Sequence, residues 1–229
     1  MKIPVNTLLM FFGFLIIQLS AHTQAQAQAQ SQSQSQSQSQ AKTIKTQDLL
    51  NSFTNNIKSK ASVTMEFEMI TSSGNYKGSV VSSGGAYKME NNELELFCDG
   101  ENKWIVNHSG KEISIFHHDP GHTDIVENPM GFFVSLDKGY TFSEKSASDG
   151  KGLYMIDLKP KNKHTAYKTI TLGIEPGSFN PRLVKYTSKD NTVYTIIISK
   201  FTSSNQPLTP SSFRLPEPYP SGYFINDLR

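Results

Sequence analysis

The side chains best able to do chemistry lie in one stretch, Ile115–Asn128 (IFHHDPGHTDIVEN). His117, His118, Asp119, His122 and Asp124 are ligands of the kind that zinc or copper takes. Their spacing argues against a preformed site. Adjacent histidines point apart on an extended chain, Pro120-Gly121 marks a loop, and no His-Glu-x-x-His pair sets two ligands on one helical face. The stretch reads as a polar loop at the rim of a sheet, with no metal. Cys98 is the single cysteine, so it forms no internal disulfide and has no thiolate partner for a metal. It reads as a small buried hydrophobe in a strand, the alternative being a reactive thiol, which needs a base or cation that the local sequence does not supply. Glu66 and Glu68 share one face of a strand. Paired carboxylates that work as acid and base sit on facing elements, so these two read as a solvated face. No nucleophile elbow, P-loop or dinucleotide fingerprint is present, and Asp99-Gly100 and Gly84-Gly85 read as turns. The expectation is a protein that is not an enzyme and needs no cofactor.

Composition sets the outer bounds. The 229 residues suit one domain plus accessory segments. A net charge of +2, with 18% charged residues and scattered Lys and Arg, gives no basic stripe, which argues against nucleic acid as a partner. Residues 1–22 read as a signal peptide: Lys2 is the positive start, Leu8–Ile17 is an apolar run short for a membrane span, and the small residues Ala21, Ala25 and Ala27 follow. An uncleaved N-terminal anchor is the alternative. No cysteine follows the apolar run to carry an acyl anchor, so the expectation is export to the periplasm. Residues 23–43 hold an Ala-Gln and Ser-Gln repeat without charge or apolar period. Such a segment cannot offset the entropy of ordering and reads as a disordered leader.

The rest, residues 44–229, must position any site. Thr46–Ser59 reads as a helix with Thr46 as its cap, Asp48 in its first turn, and Leu49, Leu50, Phe53 and Ile57 on one stripe. It covers a sheet. Val63–Ile70 alternates, with Val63, Met65, Phe67 and Met69 facing one way. Tyr76–Val81 and Ala86–Met89 follow, and the pair Val80-Val81 implies a bulge or a two-sided strand. Glu93–Phe116 reads as three short antiparallel strands, its first turn the Asp99-Gly100 pair with positive φ at both central residues. After Asn128-Pro129, the segment Met130–Leu136 is one to two apolar helical turns, either a core plug or a lid. Gly139–Lys145, Gly152–Leu158, Lys168–Glu175, Pro181–Ser188 and Thr192–Phe201 read as five more strands, Ser212–Leu215 as a short edge strand and Tyr223–Asp227 as the last. Strands at this spacing predict one large antiparallel sheet, curled or nearly closed.

The order of these elements resembles the LolA family of periplasmic lipoprotein carriers over about Ile44–Arg229. The resemblance is carried by the helix at Leu49–Ile57, the strand Val63–Ile70, Gly78, the Asp99-Gly100…Trp104 hairpin, and Asn128-Pro129 before an apolar segment. Leu158-Lys159-Pro160-Lys161 and Phe213-Arg214-Leu215-Pro216 with Phe224–Arg229 extend it. It implies a mostly β (α+β) fold: an unclosed antiparallel β half-barrel with a few covering helices, whose apolar cavity holds the acyl chains of lipoproteins. It further implies a monomer whose partners are acylated lipoproteins, an inner-membrane lipoprotein-releasing transporter and an outer-membrane acceptor. A related lipid-binding or lipoprotein-sensing module of the same fold is the alternative. One departure is visible: where the family has Arg-Pro after the second strand, this chain has Ser83–Gly85. Met65, Phe67, Leu96, Trp104, Phe132 and Phe133 are the expected acyl-contact or lid positions, because large flexible and aromatic side chains suit varied chains. Burial in a dry core is the competing reading for each, and the sequence leaves open which face of the sheet is concave.

Overall fold

Alternation and helical stripes become one layered unit in the computed structural model, which describes residues 44–121, 125, 128–143, 147–148, 152–163 and 165–229. The signal peptide and the Gln-rich leader read from the sequence lie outside the described residues, as do His122 and Asp124. Residues Thr43–Arg229 form one compact unit. Helix α1 (Thr46–Lys58) buries Leu49, Leu50, Phe53 and Ile57, the stripe expected from the sequence, and has Asp48 in its first turn. Its cap differs from expectation. Lys45 is the N-cap, and Thr46 is already helical and fully buried, because the chain turns in one residue earlier and takes the Thr46 side chain into the core.

Three hairpins follow: β1 (Ser62–Thr71), β2 (Gly74–Ser83), β3 (Ala86–Asn91), β4 (Leu94–Cys98), β5 (Asn102–Asn107) and β6 (Glu112–His117). Short helices α2 (Pro129–Val134) and α3 (Leu136–Gly139) come next, then β7 (Tyr140–Phe142), β8 (Ala147–Ser148), β9 (Tyr154–Pro160), β10 (Tyr167–Ile174), β11 (Pro181–Ser188), β12 (Val193–Ser204) and β13 (Phe224–Asp227). They make a 13-stranded sheet in the order β13-β6-β5-β4-β3-β2-β1-β12-β11-β10-β9-β7, with β8 also on β9. The two ends, β13 and β7, do not meet, so the sheet is an unclosed half-barrel. Every pairing is antiparallel except β13 with β6, which is parallel because the chain returns to that edge by a long C-terminal segment. The expected edge strand at Ser212–Leu215 is instead a 3-10 turn, Pro210–Phe213, started by a proline that lacks the N–H a strand would pair. Among the described residues no helix is long and apolar enough to cross a membrane.

Register decides which face is which. The β1–β2 pairing runs without a shift, so Val80-Val81 is a two-sided strand: Val80 is buried on the helix-covered face and Val81 half-buried on the other. A bulge does occur between β1 and β12, where Glu66 faces Lys200 but Phe67 faces Ile198. The extra residue, Ser199, resets the alternation of β12. Ile196 and Ile198 face inward on one side of it and Phe201 on the other, while Lys200 is left outside to pair with Glu66 at 2.9 Å. The main core then lies between α1, α2, α3 and the inner face of β9–β12, β1 and β2. A second core lies on the outer face of β4–β6, where Phe97, Trp104, Val106, Ile113 and Ile115 are covered by Leu215, Tyr219 and Tyr223.

Candidate functional site

An apolar row crosses five strands of the inner face. Met65 on β1 stands opposite Val80, Val80 opposite Met89, Met89 opposite Leu96, and Leu96 opposite Ile105. Phe67 and Met69 continue the wall along β1, and Ile196 and Ile198 along β12. Where this wall parts from the helices it leaves a cavity of about 250 Å³, with Phe133 and Ile125 on the opposite side and Asn91 and Glu95 as its polar lining residues.

Gly78 shapes the wall. A Cβ there would stand 2.6 Å from Cζ of Phe67 and 2.6 Å from the backbone oxygen of Glu90, so only glycine lets the Phe67 ring lie across β2 at this point. The other wall is held by the start of α2. Asn128 Oδ1 accepts a hydrogen bond from the Gly131 N–H at 2.8 Å, Pro129 occupies the first helical turn, and Phe132 N–H donates to Asn128 O at 2.9 Å. A Cβ on Gly131 would meet the Asn128 side chain at 2.4 Å, so cap and glycine work as a pair. This short helix is fixed by ring contacts. Phe133 stands edge-on to Phe53 of α1 at 5.5 Å, Phe132 touches Phe133 at 5.5 Å, and Phe132 stands edge-on to Tyr140 at 5.4 Å.

Of the positions chosen from the sequence, Met65, Phe67, Leu96 and Phe133 line the cavity. Phe132 does not. One position earlier on α2, its ring turns away from the cavity into the Tyr140 contact and is fully buried. Trp104 lies on the outer face, opposite Phe97 and Ile115, because β5 places Trp104 and Ile105 on opposite sides of the sheet. Its indole N–H donates to the Tyr219 hydroxyl at 3.2 Å. Met69, Met89, Ile105 and Ile196 also line the cavity and were not chosen. Met69 was in the same alternation as Met65, whereas Met89 and Ile105 are placed there only by cross-strand register.

The remaining sequence candidates take ordinary partners. Cys98 is fully buried beside Tyr87 and Leu96, and burial pushes its thiol up, partly offset by the Gly100 N–H and Tyr87. It is not a thiolate at neutral pH. Glu66 pairs with Lys200, and Glu68 accepts from Asn75 Nδ2 at 3.2 Å. The His118 ring stands edge-on to Tyr87 at 6.1 Å, and among the described residues no group of three or more His, Cys, Asp and Glu could hold a metal ion. The Asp99-Gly100 turn has positive φ at Gly100 alone, +97°. Asp99 makes the turn with its side chain instead: Oδ1 accepts from the N–H of Glu101 at 3.0 Å and of Asn102 at 2.8 Å. At Ser83–Gly85, where the resemblance lacks its arginine, Ser83 Oγ donates to Ala61 O at 2.8 Å and accepts from Leu208 N–H at 3.0 Å, tying the turn to both flanking segments.

Fold and site together define an open antiparallel sheet with a helix-covered apolar cavity. No family model matches the chain, and no curated protein matches it. Similar solved structures include an uncharacterized conserved protein from Thermus thermophilus, 9% identical with a TM-score of 0.48, over 80% of this chain and 98% of that one. A LolA superfamily protein from Nitrosomonas europaea is 13% identical with a TM-score of 0.42, over 75% and 98% of the two chains. A putative outer membrane lipoprotein-sorting protein domain from Vibrio parahaemolyticus is 8% identical with a TM-score of 0.43, over 73% and 95%.

Proposed function

We propose that this chain is a periplasmic carrier, not an enzyme, that shelters the acyl chains of lipoproteins and moves them from the inner to the outer membrane. The observation that carries this reading is the cavity of about 250 Å³, walled by Met65, Phe67, Met69, Met89 and Leu96 and roofed by Phe133. Methionines on β1 and β3, Met65, Met69 and Met89, give a wall that adapts to chains of varied shape. A methylene takes about the room of a water molecule, ~30 Å³, so this cavity takes roughly eight of them. At about 0.8 kcal/mol per methylene that is ~6 kcal/mol, a hold in the range of tens of micromolar that permits release. Loading more than one chain requires α2 to move off the sheet, and its attachment through a few ring contacts and one side-chain cap suits that motion. An inner-membrane lipoprotein-releasing transporter and an outer-membrane acceptor are the partners the sequence resemblance implies.

The test is release of acylated lipoproteins from spheroplasts into medium containing the purified mature protein. Release should follow protein concentration and be lost in the double variant Met65→Asn/Met89→Asn. No release above that seen with an unrelated periplasmic protein contradicts the reading.

A further inference from the structure

An open sheet has two edge strands, each with a row of backbone N–H and C=O groups that can pair with another chain unless the edge is blunted. The two edges of this sheet differ. β7 is three residues long and its first side chain, Tyr140, is buried. β13 carries no proline, no lysine and no bulge, and its register with β6 runs from Phe224 opposite Glu112 to Asp227 opposite Ile115 without a shift. Phe224 is 70% exposed and Leu228 is 56% exposed, the two most exposed large apolar side chains among the described residues, and Ile225 is exposed between them. An apolar edge left open in this way is a surface for another strand.

The ladder and the side chains narrow the occupant. Phe224 N–H donates to Lys111 O and Leu228 N–H to Ile115 O, both at 2.8 Å. Ile225 and Asp227 alternate with these residues, so their N–H and C=O groups point away from β6 to the free edge. Phe224 lies on the concave side with Glu112, and Leu228, four residues on, shares that side. An antiparallel copy of the same strand, centred on Asn226, fits this edge. Ile225 and Asp227 of one copy then face Asp227 and Ile225 of the other and exchange their free backbone hydrogen bonds. Phe224 of each copy faces Leu228 of the other in the non-hydrogen-bonded pairs, where side chains stand closest. A slip of two residues sets Phe224 against Asn226 and loses both apolar pairs. Charge fits as well. Asp227 is held by Arg229 of its own chain at 2.6 Å, so the two edges meet without like-charge repulsion. We propose that β13 is the interface of a homodimer, with Asn226 on the two-fold axis and the two sheets joined edge to edge. The pair takes the place of the monomer that the sequence resemblance implies. None of its residues lines the apolar cavity, so it stands independently of the carrier reading.

The experiment is sedimentation equilibrium of the mature protein from micromolar to millimolar concentration. The wild type should pass from the mass of one chain to the mass of two. Phe224→Lys, which sets a charge on the apolar pair, and Ile225→Pro, which deletes an N–H that β6 does not use, should each weaken the association at least about ten-fold. Both should keep the wild-type circular dichroism spectrum, because both changes lie on the exposed edge. Register has its own test. Phe224→Cys and Leu228→Cys, mixed and gently oxidised, should form a disulfide-linked pair in far higher yield than either variant alone, while Cys98 stays buried and out of reach. A wild type that remains one chain at every concentration overturns the second copy as occupant and leaves the edge to a strand of another protein. A dimer that persists unweakened in folded Phe224→Lys and Ile225→Pro overturns β13 as its interface. Cross-linking of the mixture no better than that of the single variants overturns the pairing centred on Asn226.

Discussion

Two apolar clusters sit on opposite faces of one sheet. On the inner face, Met65, Val80, Met89, Leu96 and Ile105 line up across β1–β5 and keep an open space beneath Phe133. On the outer face, Phe97, Trp104 and Ile115 line up across β4–β6 and are sealed by Leu215, Tyr219 and Tyr223. The same strands supply both, by alternation. What separates them is the cover. The outer cluster is closed by a C-terminal segment that pairs into the sheet as β13 and is tied to the β4–β5 turn by Arg214, whose guanidinium donates to Asp99 Oδ2 at 3.0 and 3.1 Å. The inner wall is covered by a short helix held by rings and a cap. A covered face with no gap stabilises; one with a gap can bind.

The comparison is broken most forcefully by removing one buried ring from each dry region. Phe132→Asn strands an amide among Phe133 and Tyr140 and deletes a fully buried ring, a loss of about 3–5 kcal/mol. For a domain of this size that lowers the melting temperature by roughly 10–15 °C. Trp104→Ala on the outer face should cost a similar ~3–5 kcal/mol, yet the folded fraction should still bind acyl chains with native affinity. Thermal melts by circular dichroism and chain binding per folded molecule check both, and impaired binding in folded Trp104→Ala would erase the distinction between the faces.

Gly78→Ala comes next. The new Cβ meets backbone at Glu90 as well as the Phe67 ring, so the strand itself must shift, at about 1–3 kcal/mol. Chemical denaturation should show that loss together with weaker chain binding, because Phe67 is pushed into the cavity. Met89→Asn reverses the pattern. Met89 is only half-buried and faces the cavity, so its amide reaches water when the site is empty. The melting temperature should fall by no more than a few degrees while chain affinity drops about ten-fold, ~1.4 kcal/mol. A collapse in stability would show that this wall is dry core.

The smallest effect concerns the tie that seals the outer cluster. Burial alone would raise the Asp99 carboxyl, but the N–H groups of Asn102 and Glu101 and the Arg214 guanidinium outweigh it and hold the group below the usual carboxylate value. Its folded value lies under its unfolded one, near 3.9. The stability it contributes is therefore fully present above about pH 4 and is lost as pH falls through the lower folded value. Arg214→Ala should cost less than ~1 kcal/mol at pH 7, because the arginine is largely exposed. The difference from the wild type should shrink below pH 4 in parallel melts.

The sheet was legible because the strands announce themselves by alternation and by Gly, Asn and Asp turns, and α1 because its stripe is complete. The 3-10 turn at Pro210–Phe213 was misread as a strand, since the short apolar run Phe213–Leu215 has no period long enough to separate the two. The two-residue β8 and the parallel pairing of β13 leave no local mark at all. At the site, Val63–Met69 named its own face, but Trp104 and Ile105 are neighbours in sequence and part company in space. Only register tells which of them follows Leu96 and which follows Phe97. Phe132 and Phe133 divide in the same way on one turn of helix.

The central claim is that acyl chains enter the inner-face cavity and not the outer cluster. A lipopeptide with a photoactivatable diazirine near the end of its acyl chain, cross-linked to the mature protein and mapped by peptide mass spectrometry, tests it directly. Saturable labelling of Met65, Met69, Met89 or Phe133, competed by unlabelled lipopeptide and absent from Trp104, Val106 and Ile113, is the predicted result. Labelling concentrated on Trp104 and its neighbours, or labelling that never saturates, would contradict it.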